Sequence, residues 1–466
     1  MDSQTIVAPM TPMGVSAVAA LRVSGTRVRD AVRRLFGEKS AAKVKPREAF
    51  LGTARDPETG KVIDSLLCLY FEAPHSYTGE DVLELYPHGN PLIVRDLLQA
   101  IRGIEGIRLA EPGEFTRRAF LNGKMDFTQA ESVADVIHSA NRAELENAHR
   151  LLSGALSKKI AALTAQVKDI SARLELDVDF AEEEADPDYS GWETRFVSIR
   201  ETIAQLLESF RGKASLSKLP LAVLYGAPNA GKSSLVNALL GEDRVLVSNV
   251  PGTTRDFVEV RLFLDGGEIR LVDTAGIADK ATDELDALSM KKSKEILEEA
   301  DLKILVVDAL DDRRGAKEER GNVIARNDSD EAIQPDFIVH SKCDLLGDDQ
   351  CHPEQAQCVE GSLEAIRISS KTGEGLADLK RFMNAALFKK NENEEDLWIT
   401  SEREKACLED ALAGINRVLD LLKANPAVEL LAFEMQLVRR ALQSITGEIS
   451  SEDILQSIFA GFCIGK

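Results

Sequence analysis

One stretch restricts what this chain can fold into more than any other: Pro220 to Leu240, PLAVLYGAPNAGKSSLVNALL. The apolar run Leu221 to Tyr225 feeds a glycine-rich turn, and beyond it Leu235, Val236, Leu239 and Leu240 recur at helical spacing, which reads as strand, loop, helix. The loop from Gly226 to Ser233 fits G-x-x-x-x-G-K-[ST]. In that pattern backbone N–H groups curl round phosphate oxygens at a helix N-terminus, whose dipole favours anions. Gly226 and Gly231 let the main chain come close, and Lys232 is placed to reach the outer phosphates. The Ser233 hydroxyl is placed for a magnesium ion that bridges terminal phosphate oxygens. A chance match in a flexible loop is disfavoured by the strand before it and the helix after it. The pattern predicts a nucleoside triphosphate in a cradle that also takes in Asn229, Ala230, Gly231 and Ser234.

Further signals narrow the nucleotide to GTP. Asp273-Thr274-Ala275-Gly276 follows a strand-like run, where a carboxylate can hold the magnesium water shell and a glycine N–H can sense the γ-phosphate. Thr253-Thr254-Arg255-Asp256 lies between the first helix and a hairpin, where a threonine hydroxyl can close on the metal. Ser341-Lys342-Cys343-Asp344 follows another strand and resembles the N-K-x-D guanine motif, with the Asp accepting from two N–H donors of the base. Ser369-Ser370-Lys371 follows the next strand. Each signal is weak alone, but in this order they favour GTP over ATP.

Two departures stand out. Ser341 replaces the usual Asn, whose amide contacts the base and braces the phosphate loop, so weaker guanine affinity is expected. Ile277 stands where related GTPases carry a water-orienting Gln, and an apolar side chain cannot orient water. Charge neutralisation and water positioning must come from elsewhere, and Asn229 is the local candidate.

Around this element the chain reads as a multidomain α+β protein. Residues 1–122 alternate as a mixed α/β domain, with strands over Ser16 to Val23 and Ile63 to Phe71 and helices over Arg27 to Phe36 and Asn90 to Ile101. Residues 123–215 and 387–466 are helical. Leu152, Leu156, Ile160, Leu163, Val167, Ile170 and Leu174 form one stripe, Leu408 to Leu422 and Val428 to Ile445 two more, and the acidic FAEEEADPDY stretch interrupts the first block. The economical arrangement is one discontinuous helical domain with an α/β P-loop domain, residues 216–386, inserted in it. In the insert, Phe257 to Leu264 and Ile269 to Val272 pair round Asp265-Gly266-Gly267, and Leu302 to Val307 and Phe337 to His340 suit central parallel strands.

Charge excludes bulk attraction to polyanions: 57 basic against 78 acidic residues give −21. Residues 1 to 124 are near neutral, so RNA contact is expected only through local patches. No apolar run approaches the ~18 residues of a membrane span, and MDSQTIVAP lacks a secretory signal's basic start and apolar core, so a cytoplasmic location is expected. The six cysteines show no CxxC pair and read as thiols. Cys351, His352 and Cys358 match no structural zinc spacing. His88 with Glu80, Asp81 and Glu84 reads either as an acid/base site or, more commonly, as a solvated turn.

The GAPNAGKSS loop, the PGTTRD and DTAG segments, the N-terminal TGEDVLEL and GEFTRRAFLNGK stretches and the terminal FCIGK together resemble the MnmE (TrmE) family of tRNA modification GTPases over essentially the whole chain. The resemblance implies an N-terminal folate-binding domain that dimerises, a discontinuous helical domain and an inserted Ras-like GTPase domain. It implies work with the flavoprotein MnmG, which would carry FAD, to install an aminomethyl or carboxymethylaminomethyl group at C5 of the tRNA wobble uridine. GTP hydrolysis stimulated by potassium goes with it. Ser233 and Thr254 would hold Mg2+, and Asn229 would ligate K+ with carbonyls of Ser248, Val250 and Thr253, while Asn249, Pro251 and Gly252 complete the nucleotide set. The water-orienting acid matches Asp286, with Glu284 as rival. Arg22, Glu84, Lys124 and Lys466 match the positions for a 5-formyl or 5,10-methylene tetrahydrofolate, and Cys463 a thiol of the modification chemistry, activated beside lysine. A ribosome-assembly GTPase of the Era or Der type shares the nucleotide motifs and stands as the alternative. Against it count the single GxxxxGKS and the lack of a GXXG-loop KH unit.

Overall fold

The structure, a computed structural model, describes residues 4–179, 191–212, 219–242, 258–274, 295–310, 335–345, 365–388, 397–423, 427–449, 455, 458–459, 461–462 and 465. The chain opens with β1 (Thr5–Pro9), β2 (Ser16–Val18), β3 (Leu21–Ser24), α1 (Val28–Phe36), α2 (Glu38–Ala41), β4 (Ala49–Arg55), β5 (Val62–Phe71), β6 (Val82–Tyr86), β7 (His88–Gly89), α3 (Pro91–Arg102), β8 (Ile107–Leu109) and α4 (Glu114–Leu121). Helices α5 (Phe127–His138), α6 (Arg142–Leu152), α7 (Ala155–Asp179) and α8 (Trp192–Glu208) follow. Next come β9 (Leu221–Tyr225), α9 (Lys232–Glu242), β10 (Val258–Leu264), β11 (Gly267–Asp273), β12 (Leu302–Asp308), β13 (Phe337–Ser341), β14 (Ala365–Arg367) and α10 (Leu376–Leu387), and last α11 (Glu402–Leu422) and α12 (Val428–Thr446). These elements make two compact units: Met1–His138, Asn147–Arg211 and Leu397–Lys466 form the first, Ser139–Glu146 and Gly212–Asp396 the second. The expected fold class is observed: a mixed α/β N-terminal part, a helical part and a P-loop α/β part.

In the first unit six strands run in the order β4-β5-β6-β3-β1-β8. Alternation gives the sheet two faces. Val7, Leu21, Val23 and Leu85 pack under α1 and α3, while Ile6, Ala8 and Phe115 form a smaller cluster on the other face. Asn90 starts α3 by accepting Leu92 N–H on its side-chain oxygen, with Pro91 supplying a preset φ. Ser16 to Val23, expected as one strand, is two. The Ala19 amide donates to Pro87 O and the Ala20 amide to Thr11 Oγ1, so the chain leaves the small β2–β7 sheet before it joins β1 and β6. The helical part is built on α7, α8, α11 and α12, whose stripes Leu156 to Leu174, Phe196 to Leu206, Leu408 to Leu419 and Leu431 to Ile445 share one core. Leu152 belongs to α6 and not to the α7 stripe, because Gly154 at φ +83° turns the chain between them. The stretch FAEEEADPDY lies outside the described residues.

Glu114, 5% exposed at the start of α4, accepts from Arg108 on both oxygens (2.7 Å each), from Arg118 (2.8 Å) and from the Glu111 amide (2.9 Å). Burial pushes its carboxyl up, but these donors outweigh it, and the group lies below its ordinary value of 4.5. A depressed carboxyl contributes stability that is full above the unfolded value and lost as pH falls through the folded one. The gap in thermal midpoint between the parent chain and Glu114→Gln should therefore be full at neutral pH and shrink below about 4.5.

In the second unit the strand order is β10-β11-β9-β12-β13-β14, parallel except for the β10–β11 hairpin. Every residue of β9 is buried: Ala222 and Leu224 point into a core with α9 and α10, and Leu221, Val223 and Tyr225 into the core of the opposite face. That two-sided burial is why this strand reads as a continuous apolar run. Residues of the α5–α6 junction finish the hairpin. The Glu268 amide donates to Ala140 O (3.1 Å), the Arg142 amide to Gly266 O (2.8 Å), and Asn141 pairs antiparallel with Gly267.

Candidate functional site

The carboxyl ends of β9, β11, β12 and β13 gather the polar residues that the sequence singles out. Strand β9 is followed by Gly226, φ +148°, where a Cβ would fall 2.2 Å from Val306 O, so the turn needs glycine. Asn229 holds a left-handed φ of +65°, and α9 starts at Lys232. Lys232 is 4% exposed, and its Nζ donates to Gly226 O (2.8 Å) and Ala227 O (2.9 Å). Its ammonium thus lies within the loop whose amides would face phosphate. Ser233 Oγ donates to Asp273 Oδ2 at 2.6 Å, bringing together the hydroxyl and carboxylate expected round magnesium. The Thr274 hydroxyl ties the next residue back to Leu224 O at 3.0 Å.

The base side of the site is equally tied. Ser341 Oγ donates to Ala230 O (2.6 Å) and lies 3.2 Å from Val307 O, so its short hydroxyl still braces the phosphate loop. Lys342, φ +58°, donates to Asn229 O (2.8 Å) and pairs with Asp308 (2.6 Å). Asp344 Oδ1 accepts from Ser369 Oγ at 2.8 Å. A cavity of about 530 Å³ lies between them, lined by Gly231, Ser234, Asn237, Ala238, Ser341, Lys342, Asp344, Leu345, Ser370 and Lys371. Asp308, Asn237, Ala238 and Leu345 were not singled out from the sequence. Asp308 carried a readable signal, a carboxylate closing an apolar run at the carboxyl end of a parallel strand. Ser248, Asn249, Val250, Pro251, Gly252, Thr253, Thr254, Ala275, Gly276, Ile277, Glu284 and Asp286 lie outside the described residues, as do Cys351, His352 and Cys358.

A second polar site sits in the first unit. Arg22 and Glu84 face each other across β3 and β6, and Arg22 Nε (3.0 Å) and Nη2 (2.8 Å) both donate to Glu84 Oε1. Tyr86 Oη donates to the other oxygen at 2.5 Å, and its phenol is pushed up to about 12 by burial and by that carboxylate. The Arg22 guanidinium stacks over Tyr77 (4.7 Å) and Phe115 (5.7 Å), and its Nη1 is buried without a hydrogen-bond partner among the described residues. A cavity of about 290 Å³ opens beside Glu84, with Tyr77, Phe71 and Val82 as walls and Arg47, His75, Ser76 and Lys124 round it. Near the chain end, a Cβ on Gly465 would fall 2.2 Å from Pro9 O, on the strand beside Arg22. Lys466 and Cys463 lie outside the described residues.

The residues that could have formed an acid/base cluster do not converge. Glu80 binds Arg118 (3.1 Å) and Ser24 (2.7 Å), Asp81 accepts the Ala73 amide, Glu84 holds Arg22, and His88 Nδ1 meets Asp64 at 2.9 Å. Among the described residues no helix is long and apolar enough to cross a membrane.

Residues 127–463 match the family model described as the MnmE helical domain, and residues 5–124 the one described as the GTP-binding protein TrmE N-terminus. The chain is 37% identical to the tRNA modification GTPase MnmE of Carboxydothermus hydrogenoformans, covering 100% of both chains. It is 38% identical to the protein of that name from Parvibaculum lavamentivorans over 99% of this chain and 100% of the relative. Identity is also 38% to that of Xanthomonas oryzae pv. oryzae, over 100% of this chain and 99% of the relative.

Proposed function

Because this chain belongs to the MnmE (TrmE) family of tRNA modification GTPases, we propose that it is a potassium-activated GTP hydrolase acting with MnmG on the C5 position of the tRNA wobble uridine. The observation that carries the hydrolase reading is the convergence of Lys232, the Ser233–Asp273 pair and Asp344 at one end of one sheet. In this reading Lys232 exchanges its two carbonyl partners for β- and γ-phosphate oxygens, and Ser233 turns its hydroxyl from Asp273 to the metal. Asp344 accepts from the guanine N–H groups, while Ser341 keeps base and phosphate ends of the site in register through Ala230.

The donor set fits a magnesium ion, since a hydroxyl and a carboxylate already meet at 2.6 Å; Ser233 and Thr254 would hold it, and it would neutralise charge on the β–γ bridge. For potassium, the supporting observation is the exposed Asn229 side chain on a left-handed backbone at the loop crest. With carbonyls of Ser248, Val250 and Thr253 it would hold a cation where other GTPases insert an arginine. Asp286 or Glu284 would orient water.

The Arg22–Glu84 site fits a reduced folate, 5-formyl or 5,10-methylene, because a buried guanidinium nitrogen has no partner among the described residues beside a cavity with an acid in its wall. Arg22, Glu84, Lys124 and Lys466 would hold the group, which supplies a one-carbon unit, and Cys463 would take part in the modification. A homodimer is supported by exposed apolar side chains on the N-terminal part, Val15 (92%), Leu51 (77%) and Met13 (58%) among them. FAD would come with the flavoprotein, and the complex would work in the cytoplasm.

The test is GTP turnover in matched potassium and sodium salts. About tenfold faster hydrolysis in potassium is expected, and Asn229→Ala should remove most of the difference. Equal rates in both salts overturn the potassium reading, and absence of turnover with or without the flavoprotein overturns the hydrolase itself. Normal modification of the wobble uridine in tRNA from a deletion strain, read by mass, overturns the modification role.

A further inference from the structure

We propose that the rim of the Arg22–Glu84 cavity is a subsite for a chain of linked carboxylates, so that the folate this protein selects carries a polyglutamyl tail; this rests on the folate reading above. The cavity is polarised. At one end lies Glu84, 9% exposed, an acceptor for the N–H groups of a heterocyclic head and a position no carboxylate of a ligand can approach cheaply. Tyr77 and Phe71 offer flat walls to an aromatic body. Among the other lining residues Arg47, Lys124 and His75 are exposed and so belong to its solvent side.

Neither Arg47 nor Lys124 has a carboxylate partner among the described residues. Arg47 Nη2 reaches only His75 O (3.3 Å) and Lys124 Nζ only Pro74 O (2.9 Å). The acids along the chain are engaged elsewhere: Glu48 by Lys45 at 3.4 Å, Asp126 by the Thr128 hydroxyl and the Gln129 amide, Glu72 by Arg29 at 2.7 Å and Asp81 by the Ala73 amide. In a near-neutral N-terminal part, two cations left facing one opening make a local positive spot. Arg47 also holds a φ of +63°, a conformation that strains a non-glycine residue, while its amide is fixed to Tyr70 O at 2.8 Å. Its guanidinium is among the groups that line the cavity and meets the His75 carbonyl there.

Size points the same way. At about 290 Å³ the cavity is at the small end of ligand pockets, enough for a bicyclic head and part of the ring that follows. Whatever anionic tail follows must lie across the rim, where one glutamate can engage one or two of the three groups and a longer tail can engage all of them.

Titration of the full chain with the monoglutamyl and triglutamyl forms of 5-formyltetrahydrofolate tests this. At low ionic strength the triglutamyl form should bind about tenfold more tightly, and the advantage should fade as salt is raised through several tenths molar, because exposed ion pairs are screened. In Arg47→Gln the ratio of the two affinities should fall towards one. Equal affinity of the two forms for the parent chain overturns the inference and leaves the folate reading standing. Binding of neither form overturns both, and a length preference that salt and Arg47→Gln leave untouched overturns the rim assignment.

Discussion

Replacing Lys232 with Ala should lower kcat/KM for GTP by about a thousandfold, the order expected when a preorganised charge is removed from a phosphate site. That factor corresponds to about 4 kcal/mol of transition-state stabilisation. The ammonium is 4% exposed and rests on two neutral carbonyls, so it is already desolvated and positioned before any phosphate arrives. Folding depends on it less. Its partners, Gly226 O and Ala227 O, belong to a loop edge that water can reach, so the thermal midpoint should move by only a few degrees. Lys232→Arg should not rescue turnover, since the planar guanidinium cannot occupy a space shaped for a compact ammonium. Phosphate release under steady-state conditions reads the effect, and retention of more than a tenth of parental activity would count against the role.

The second large effect is on stability. Arg22→Ala strips Glu84 of both hydrogen bonds to one oxygen and leaves a carboxylate, its side chain 11% exposed, with Tyr86 alone. Breaking one side of a buried pair costs about 3–5 kcal/mol, mostly as the penalty of the uncompensated charge. The first transition in denaturant unfolding should shift to lower concentration by a corresponding amount. The double replacement Arg22→Ala with Glu84→Ala should recover part of the loss, because the stranded charge goes with its partner. If the single variant unfolds at the parental midpoint, the pair is not the determinant it is taken to be here.

Much of the nucleotide site was legible because its constraints are local. A strand, a turn with two glycines and a helix follow one another within Pro220 to Leu240, and Asp273, Ser341 and Asp344 each close or follow a short apolar run. Asp308 could be read as a strand-end carboxylate, but its Lys342 partner could not, and Arg47 was not legible at all, since its place depends on the His75 carbonyl that the fold brings beside it. Arg22 and Glu84 lie 62 residues apart, and only the family resemblance joined them before the β3–β6 register did. In the N-terminal sheet, β1 and β4 went unread. β1 is a five-residue run buried almost throughout, and β4 alternates in burial but puts Ala49 and Leu51 on exposed positions and Gly52 on an inner one, so neither shows a two-residue alternation in its sequence. The break between β2 and β3 is likewise a matter of which neighbour each half pairs with.

The residues from the α5–α6 junction that close the β10–β11 hairpin have a practical outcome for anyone who isolates the nucleotide domain by its sequence limits. A polypeptide trimmed to 216–386 omits Ala140, Asn141 and Arg142, and hands the Gly266 carbonyl and the Glu268 amide to solvent. The strand that hairpin leads to ends on Asp273, the carboxylate that Ser233 holds. Rates measured on such a fragment describe a sheet with a raw selvedge, and differences from the intact enzyme belong first to that missing hem.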